Sequence, residues 1–391
     1  MWFFVVSSVA LAAWLYLAAG HGGFWRTSVR LPQWREPRRW PSVVAVVPAR
    51  NEAAVLPTTL PSLLATRYPG DFRVVVVDDA STDATALVAA RHGAQVVTVD
   101  ALPAGWAGKV HAMACGAAAA GDCDFVLFTD ADIRYAPTAV AQLVSAATSH
   151  ELDLVSQMAR LRALGAWERV IVPAFVYFFM QLFPFARVNS PRSRVAAAAG
   201  GCMLVRRTAL ESVGGLARIA DAHIDDVALG TLLKRRGRRR IWLGLSDDVS
   251  SVRAYPSLRE LWRMVARSAY TQLRYSPLLL IATLLGLLLV YGVPVIAVAA
   301  GGATGRWSLV VLGGVAWSLM AATFLPTLRF YRLSALRSLT LPVIALLYAA
   351  MTIDSAWQHA RGRGGTWKGR TTARGQARGQ ARGQARGRAR A

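Results

Sequence analysis

The sequence predicts an α/β domain on a mostly parallel sheet with flanking helices, carried between N-terminal and C-terminal transmembrane helices. Three observations predict it. Strand-like apolar runs alternate with helix-period segments from Ser42 to about Ala163, the order that builds a right-handed parallel sheet. Two of those runs end in carboxylates: VVVVDDASTD (74–83) in Asp78 and Asp79, and FVLFTDADI (125–133) in Asp130 and Asp132. The apolar excess, with 54% hydrophobic residues and a mean hydropathy of +0.35, is concentrated near the two ends of the chain.

Residues 2–19 carry no charge, are about long enough to span a bilayer and lack a small-residue cleavage site, so 1–20 reads as an uncleaved anchor. A basic linker (21–41) follows, with Arg26, Arg30, Arg35, Arg38 and Arg39. SVVAVVPARNE (42–52) reads as a buried strand that breaks at Pro48, its loop supplying Arg50, Asn51 and Glu52. Next come a helix through Leu64, a strand at 72–79, and a helix with Ser81 or Thr82 as N-cap. A strand at 94–99 and a helix around 107–120 lead to the strand bearing Asp130 and Asp132. Alternate residues of a strand share a face, so these two carboxylates are expected to present oxygens to one side, a hard donor pair for Mg²⁺ or Mn²⁺. Two carboxylate-tipped strands mark the carboxyl edge of the sheet as a polar site. No GxGxxG follows the first strand and no GxxxxGK[ST] occurs, which disfavours dinucleotide and ATP sites of those types.

The net charge of +23 suggests a nucleic-acid partner until its distribution is considered. Much of it lies in RGQARGQARGQARGRARA (374–391), a repeat with no acid and no large apolar residue, expected to be disordered. Such a tail meets phosphates, and in a chain this apolar the phosphates of anionic lipid suit it better than RNA. The basic linker and KRRGRRR (234–240) favour a globular part on the cytoplasmic side of the membrane. Cys115, Cys123 and Cys202 form no CxxC pair and read as reduced packing residues.

With these motifs in place, residues 42–275 resemble the family 2 inverting glycosyltransferases, whose catalytic domain has a nucleotide-sugar-binding fold of the GT-A type. The family's Pro-x-x-Asn-Glu loop is matched by Pro48-Ala49-Arg50-Asn51-Glu52, and its Asp-Asp-x-Ser-x-Asp by Asp78 to Asp83. Its metal motif is matched by Asp130-Ala131-Asp132, and the Gly-Lys that approaches the diphosphate by Gly108-Lys109. The Ala-Leu-Asn usual after it reads Ala112-Met113-Ala114. The resemblance implies that Glu52 and Asp79 contact the uridine of a UDP-sugar, Asp130 the ribose region, and Asp132 the metal and diphosphate. On the acceptor side, AAAAGGCMLVRR (196–207) is similar to the family's glycine-led strand, with Gly200 and Gly201 admitting a sugar close to the backbone. HIDDVALGTLLKRRG (223–237) is similar to its Glu-Asp-x-x-Leu helix. Asp225 stands for the Glu, and Asp226 takes the place of the general base that an inverting transfer requires.

The Gln-x-x-Arg-Trp of processive members is missing from LWRMVARSAYTQLRYSP (261–277), so a single-sugar transfer is expected. Arg267, Gln272 and Arg274 are donor-side candidates there, and the same stretch also reads as an amphipathic helix at the membrane surface. After Pro277, three apolar segments (278–300, 307–328, 338–353) form a bundle within 276–355, leaving 356–391 as the tail. The layout is most like the hopene-associated glycosyltransferases of bacteria, which implies a lipid acceptor. VIVPAFVYFFMQLFPFARV (170–188), broken by Pro173 and Pro184, is expected as an interfacial element of the acceptor half (164–275), with a buried helix as the alternative. The catalytic domain is expected to face the cytosol from the cytoplasmic membrane. If 338–353 crosses, the basic tail is translocated against the positive-inside tendency; if it re-enters, the tail stays inside. Two other functions stay open: a polyprenyl-phosphate sugar transferase, and a non-catalytic scaffold with a tail that binds RNA or lipid.

Overall fold

The computed structural model describes residues 1–99, 101–362, 366–367 and 370–371; the arginine repeat expected to be disordered lies outside them. The chain divides into two compact units. One comprises Val29–Arg162 and Arg187–Ala254; the other comprises Met1–Ser28, Ala163–Ala186 and the chain from Tyr255 to the end of the last helix.

The first unit is built on eight strands: β1 Val43–Ala49, β2 Phe72–Asp78, β3 Gln95–Thr98, β4 Phe125–Phe128, β5 Ile133–Tyr135, β6 Leu154–Arg160, β7 Met203–Arg206 and β8 Ile241–Ser251. Their order is β3-β2-β1-β4-β7-β6-β8-β5. β3, β2, β1 and β4 are parallel, as expected. β7 then enters antiparallel to both β4 and β6, and β5 is antiparallel to β8. β6 and β8 are parallel to each other, so the sheet is mixed but mostly parallel, with β7 and β5 reversed. β1 is buried along its whole length, and β2 is buried from Val74 onward, as befits valine runs covered on both faces. The helix Gly108–Ala119 crosses this pair at Gly116, where a Cβ would lie 2.3 Å from Val46 Cγ1 and 2.8 Å from Val77 Cγ2.

Three local expectations are corrected. Pro48 does not break β1; it pairs in register with Val77. β4 pairs with β1 only through Val46, so on that side of Pro48 there is no strand partner for the missing N–H. Ser81 and Thr82 do not cap the next helix, Thr85–Arg91. They face the loop after β1 instead: Ser81 Oγ accepts from Asn51 N (3.0 Å), and Thr82 N donates to Asn51 Oδ1 (2.8 Å). Finally, β4 ends at Phe128, so Asp130 and Asp132 sit in the turn to β5 and not along a strand.

The second unit holds four helices long and apolar enough to cross a membrane: Trp2–Gly20, Pro277–Thr304, Trp307–Phe330 and Ala335–Ala360. They expose large apolar side chains such as Leu278, Leu285, Val311, Val343 and Leu346. The last helix extends past the expected boundary at 355 to Ala360, a length of 26 residues with its leading turn. The segment expected at an interface is a helix, Glu168–Leu182, that keeps Pro173 within it and ends before Pro184. It belongs to this apolar unit: Tyr177 Oη lies 2.9 Å from Thr323 Oγ1, Tyr348 Oη donates to Ile171 O (3.0 Å), and Phe178 packs edge-on against Tyr291 and Tyr348. Leu258–Gln272, capped by Ser257 Oγ accepting from Glu260 N, belongs here too. Trp262 Nε1 donates to Asp354 Oδ2 (2.8 Å) and Tyr270 N to Ser355 Oγ (3.1 Å).

The helix Asp225–Arg236 lies against the backbone leading into β7. At Gly230 a Cβ would come within 2.6 Å of Ala197 C and 2.9 Å of Ala198 N, backbone atoms that cannot step aside. Gly230→Ala should therefore cost about 1–3 kcal/mol in denaturant unfolding, against the slight gain that alanine brings in an open helix.

Candidate active site

The parallel half of the sheet brings the loops after β1 and β2 and the turn after β4 to one edge. The loops after β1 and β2 are locked to each other. Asn51 and Ala80 both take left-handed backbone angles (φ +52° and +47°), a conformation held by the Asn51 contacts with Ser81 and Thr82. Arg50 spans the same gap, donating to Asp79 O and to Ala80 O (3.0 Å), with its Nη1 3.7 Å from Asp79 Oδ2. Asp79 is closed off from solvent and Asp78 nearly so. Glu52 is buried as well; its N donates to Thr85 Oγ1 (2.8 Å).

The charged centre lies where β4, the helix Gly108–Ala119 and the helix Asp225–Arg236 converge. Lys109 Nζ is 2.7 Å from Asp130 Oδ1 and 2.9 Å from Asp225 Oδ2. Asp226 Oδ2 accepts from Gly200 N (2.9 Å), and its Oδ1 from Val227 N (2.7 Å). Gly200 fits because it has no side chain: a Cβ there would sit 3.2 Å from Lys109 Nζ, 3.5 Å from Asp226 Oδ2 and 3.6 Å from Asp130 Oδ2. Gly201 O accepts from Thr129 Oγ1 (2.8 Å), joining the glycine turn to the end of β4. Four groups expected from separate motifs, Lys109, Asp130, Gly200 and the Asp225-Asp226 pair, thus form one cluster.

Burial penalises the charge on Lys109, but Asp130, Asp225 and Asp226 outweigh that and hold its pKa above the ordinary lysine value. Burial raises the Asp130 carboxyl, reinforced by Asp132 and Asp225 and opposed by Lys109. Burial and then the neighbouring Asp225 push Asp226 up to about 6, while Lys109 and the Val227 and Gly200 N–H groups pull the other way.

Asp132 is held apart from this cluster. Its Oδ2 accepts from Ser251 Oγ (2.6 Å) and lies 3.3 Å from Arg253 Nε. Arg253 Nη2 also donates to Glu52 Oε1 (2.8 Å). Neither Ser251 nor Arg253 stands out in the sequence, where they follow a strand in a chain rich in arginine; the one available signal is the polar SSVR run at the end of β8. Arg267 and Gln272 lie on the helix Leu258–Gln272 of the apolar unit, and Arg274 follows it with φ +52°.

A divalent cation can be accommodated. Asp130 Oδ2 and Asp132 Oδ1 have no hydrogen-bond partner among the described residues, and both belong to hard carboxylates at the same turn. Among those residues no three acidic, histidine or cysteine side chains form a full cage. This is the partial donor set that Mg²⁺ or Mn²⁺ completes with substrate phosphates and water.

Residues 44–214 match the glycosyl transferase family 2 domain. Over these residues the chain is similar to the family 2 glycosyltransferases. An uncharacterised glycosyltransferase of Mycobacterium tuberculosis is 48% identical over 71 residues, 18% of this chain and 29% of that protein. A 4,4'-diaponeurosporenoate glycosyltransferase of Staphylococcus aureus is 40% identical over 96 residues, 24% of either chain. The chain thus spans less than a third of the length of these curated relatives. A mannosyltransferase from Pyrobaculum calidifontis, solved in complex with GDP-Man and Mn²⁺, is 20% identical and superposes with a TM-score of 0.54 over 91% of this chain and 99% of that one. This likeness establishes a shared fold for the family 2 domain and its flanking helices.

Lys109 is the cation that allows the central carboxylates to remain charged. Its upward shift means that its contribution is complete below the ordinary lysine pKa of about 10.4 and is lost only in strong alkali. Lys109→Met should cost about 3–5 kcal/mol at pH 7.5. The loss should shrink at pH 5, where Asp226, raised to about 6, takes up a proton; denaturant unfolding at the two pH values checks this.

Proposed function

We propose that the protein is a membrane-bound inverting glycosyltransferase that moves one sugar from a nucleotide-sugar, a UDP-sugar by resemblance, to a lipid acceptor related to the hopanoids. The observation that carries this reading is the single cluster in which Lys109 joins Asp130 of the donor motif to Asp225, with Asp226 held beside them on Gly200 N. The domain match and the diaponeurosporenoate relative support the transfer and a lipid acceptor. Four apolar helices support a membrane location.

In this reading the loops after β1 and β2, with Glu52 and Asp79, bind the nucleoside. Asp130 and Asp132 would hold a divalent cation, which supplies charge neutralisation for the departing diphosphate. Asp226 takes the proton of the acceptor hydroxyl as its oxygen bonds to the anomeric carbon. The bond from that carbon to the diphosphate breaks on the opposite face, and nucleoside diphosphate leaves. Gly200 N and Val227 N orient the Asp226 carboxylate. Its raised pKa makes it a stronger proton acceptor than an ordinary aspartate, provided that it has lost its own proton. Asp225 supports it by engaging Lys109.

Asp226→Asn should reduce transfer by about 10²–10⁴-fold while nucleotide affinity hardly changes, and Asp225→Asn should lose less. Because Asp226 is protonated below about 6, wild-type transfer should fall as pH drops through that value, and Asp226→Asn should lack this limb. Transfer of radiolabelled sugar into extracted lipid, with mass spectrometry of the product, measures both. Transfer that survives Asp226→Asn in folded protein overturns the assignment of the base.

EDTA should abolish transfer, and Asp132→Asn should weaken donor binding in a calorimetric titration; unchanged donor affinity in metal-free buffer would remove the cation from the mechanism. For orientation, a reporter fused after Arg39 should behave as cytosolic, and periplasmic activity would reverse the topology.

A further inference from the structure

Arg253 lies two residues beyond β8 and joins two parts of the site that no motif connects. One guanidinium reaches Glu52 Oε1 at 2.8 Å in the loop after β1 and Asp132 Oδ2 at 3.3 Å in the turn after β4. Ser251 Oγ donates to the same Asp132 oxygen at 2.6 Å, so Asp132 is fixed by two groups from the end of β8. Both carboxylates are largely buried, with side-chain exposures of 8% for Glu52 and 13% for Asp132. The positive charges are shared out: Lys109 serves Asp130 and Asp225, while Arg253 serves Glu52 and Asp132.

Asp132 is also the carboxylate expected to hold a divalent cation, and a metal ion and a guanidinium cannot share it without repelling each other. A nucleoside diphosphate changes that balance. Its oxygens accept hydrogen bonds from a guanidinium in a fork geometry and complete the coordination of a hard cation, so its negative charge offsets both cations at once.

We propose that Arg253 competes with the divalent cation for Asp132 and makes metal binding conditional on a nucleoside diphosphate, which draws the guanidinium onto itself. The inference rests on the glycosyltransferase reading given above. Metal and nucleotide then bind as a pair. Arg253 acts as a positioning residue for the donor: it keeps Glu52 and Asp132 in place beforehand and keeps free metal off Asp132.

The test is Mn²⁺ binding to the full-length, detergent-purified protein, followed by the electron paramagnetic resonance signal of free Mn²⁺, with and without UDP or GDP. In wild type, nucleotide should tighten Mn²⁺ binding by at least about tenfold. Without nucleotide, Arg253→Gln should bind Mn²⁺ about tenfold more tightly than wild type, the size expected for removing one partly screened charge contact. Nucleotide should then tighten binding less in that variant. Arg253→Lys keeps the charge and should stay closer to wild type. Equal Mn²⁺ affinity of wild type and Arg253→Gln without nucleotide overturns the proposal, and so does an Arg253→Lys that matches Arg253→Gln. Should Arg253→Gln fail to fold, wild-type Mn²⁺ affinity that nucleotide leaves unchanged overturns it by itself, provided calorimetry shows that the nucleotide binds. If calorimetry shows that neither UDP nor GDP binds, the glycosyltransferase reading fails first and the inference falls with it.

Discussion

Carboxylates brought to one edge of a sheet repel one another, and the site depends on how that repulsion is balanced. Two unit charges 4 Å apart interact by about 4 kcal/mol at an effective dielectric of ~20, so Asp130, Asp225 and Asp226 could not all stay ionised without a cation among them. Lys109 is that cation, within 3 Å of two of them. Its position is set by the helix Gly108–Ala119, which the absence of a side chain at Gly116 lets settle onto β1 and β2. A packing feature on the buried side of a helix thus decides where a charge stands at its N-terminal end. Burial, and then Asp225, still raise the Asp226 carboxyl despite that cation.

The change of strand direction at β7 does a second job. On the parallel side every strand delivers its carboxyl end to the same edge, which collects acidic loops. β7 runs against β4, so the chain enters it from that edge. The stretch before β7, with Gly200 and Gly201, is thereby placed beside the donor motif, close enough for Gly200 N to hold Asp226. A wholly parallel sheet would have needed a longer excursion to bring the same residues together.

Much of this was legible in the sequence. Continuous apolar runs identified β1, β2 and β4, the last two followed by acids, because buried parallel strands have a composition that little else shares. The Asp225-Asp226 helix and the glycine pair were legible by resemblance. What escaped was contingent on tertiary packing. Asp130 and Asp132 lie in a turn, where strand alternation gives no guidance. Ser81 and Thr82 had the composition of helix caps but were recruited by Asn51, a partner thirty residues away that no local rule detects. Arg253 is one arginine in a chain with 45 basic residues, and only the folded end of β8 sets it apart. The run 170–188 was apolar and proline-broken, which is compatible with an interfacial or a buried helix; its aromatic contacts with later helices, which no local pattern foretells, join it to the apolar unit.

The apolar unit is drawn from three separated stretches of chain, and the chain passes between units at 28/29, 162/163, 186/187 and 254/255. Its closure is therefore late in biosynthesis. The Trp14 indole N–H donates to Val290 O at 2.6 Å, a bond between residues 276 apart in sequence. Until the ribosome has made that second residue, the Trp14 N–H lacks the acceptor it has in the folded unit, and a buried N–H without one is costly. Excising the sheet unit for study would likewise require removing an internal helix, within 163–186, as well as the flanking apolar stretches.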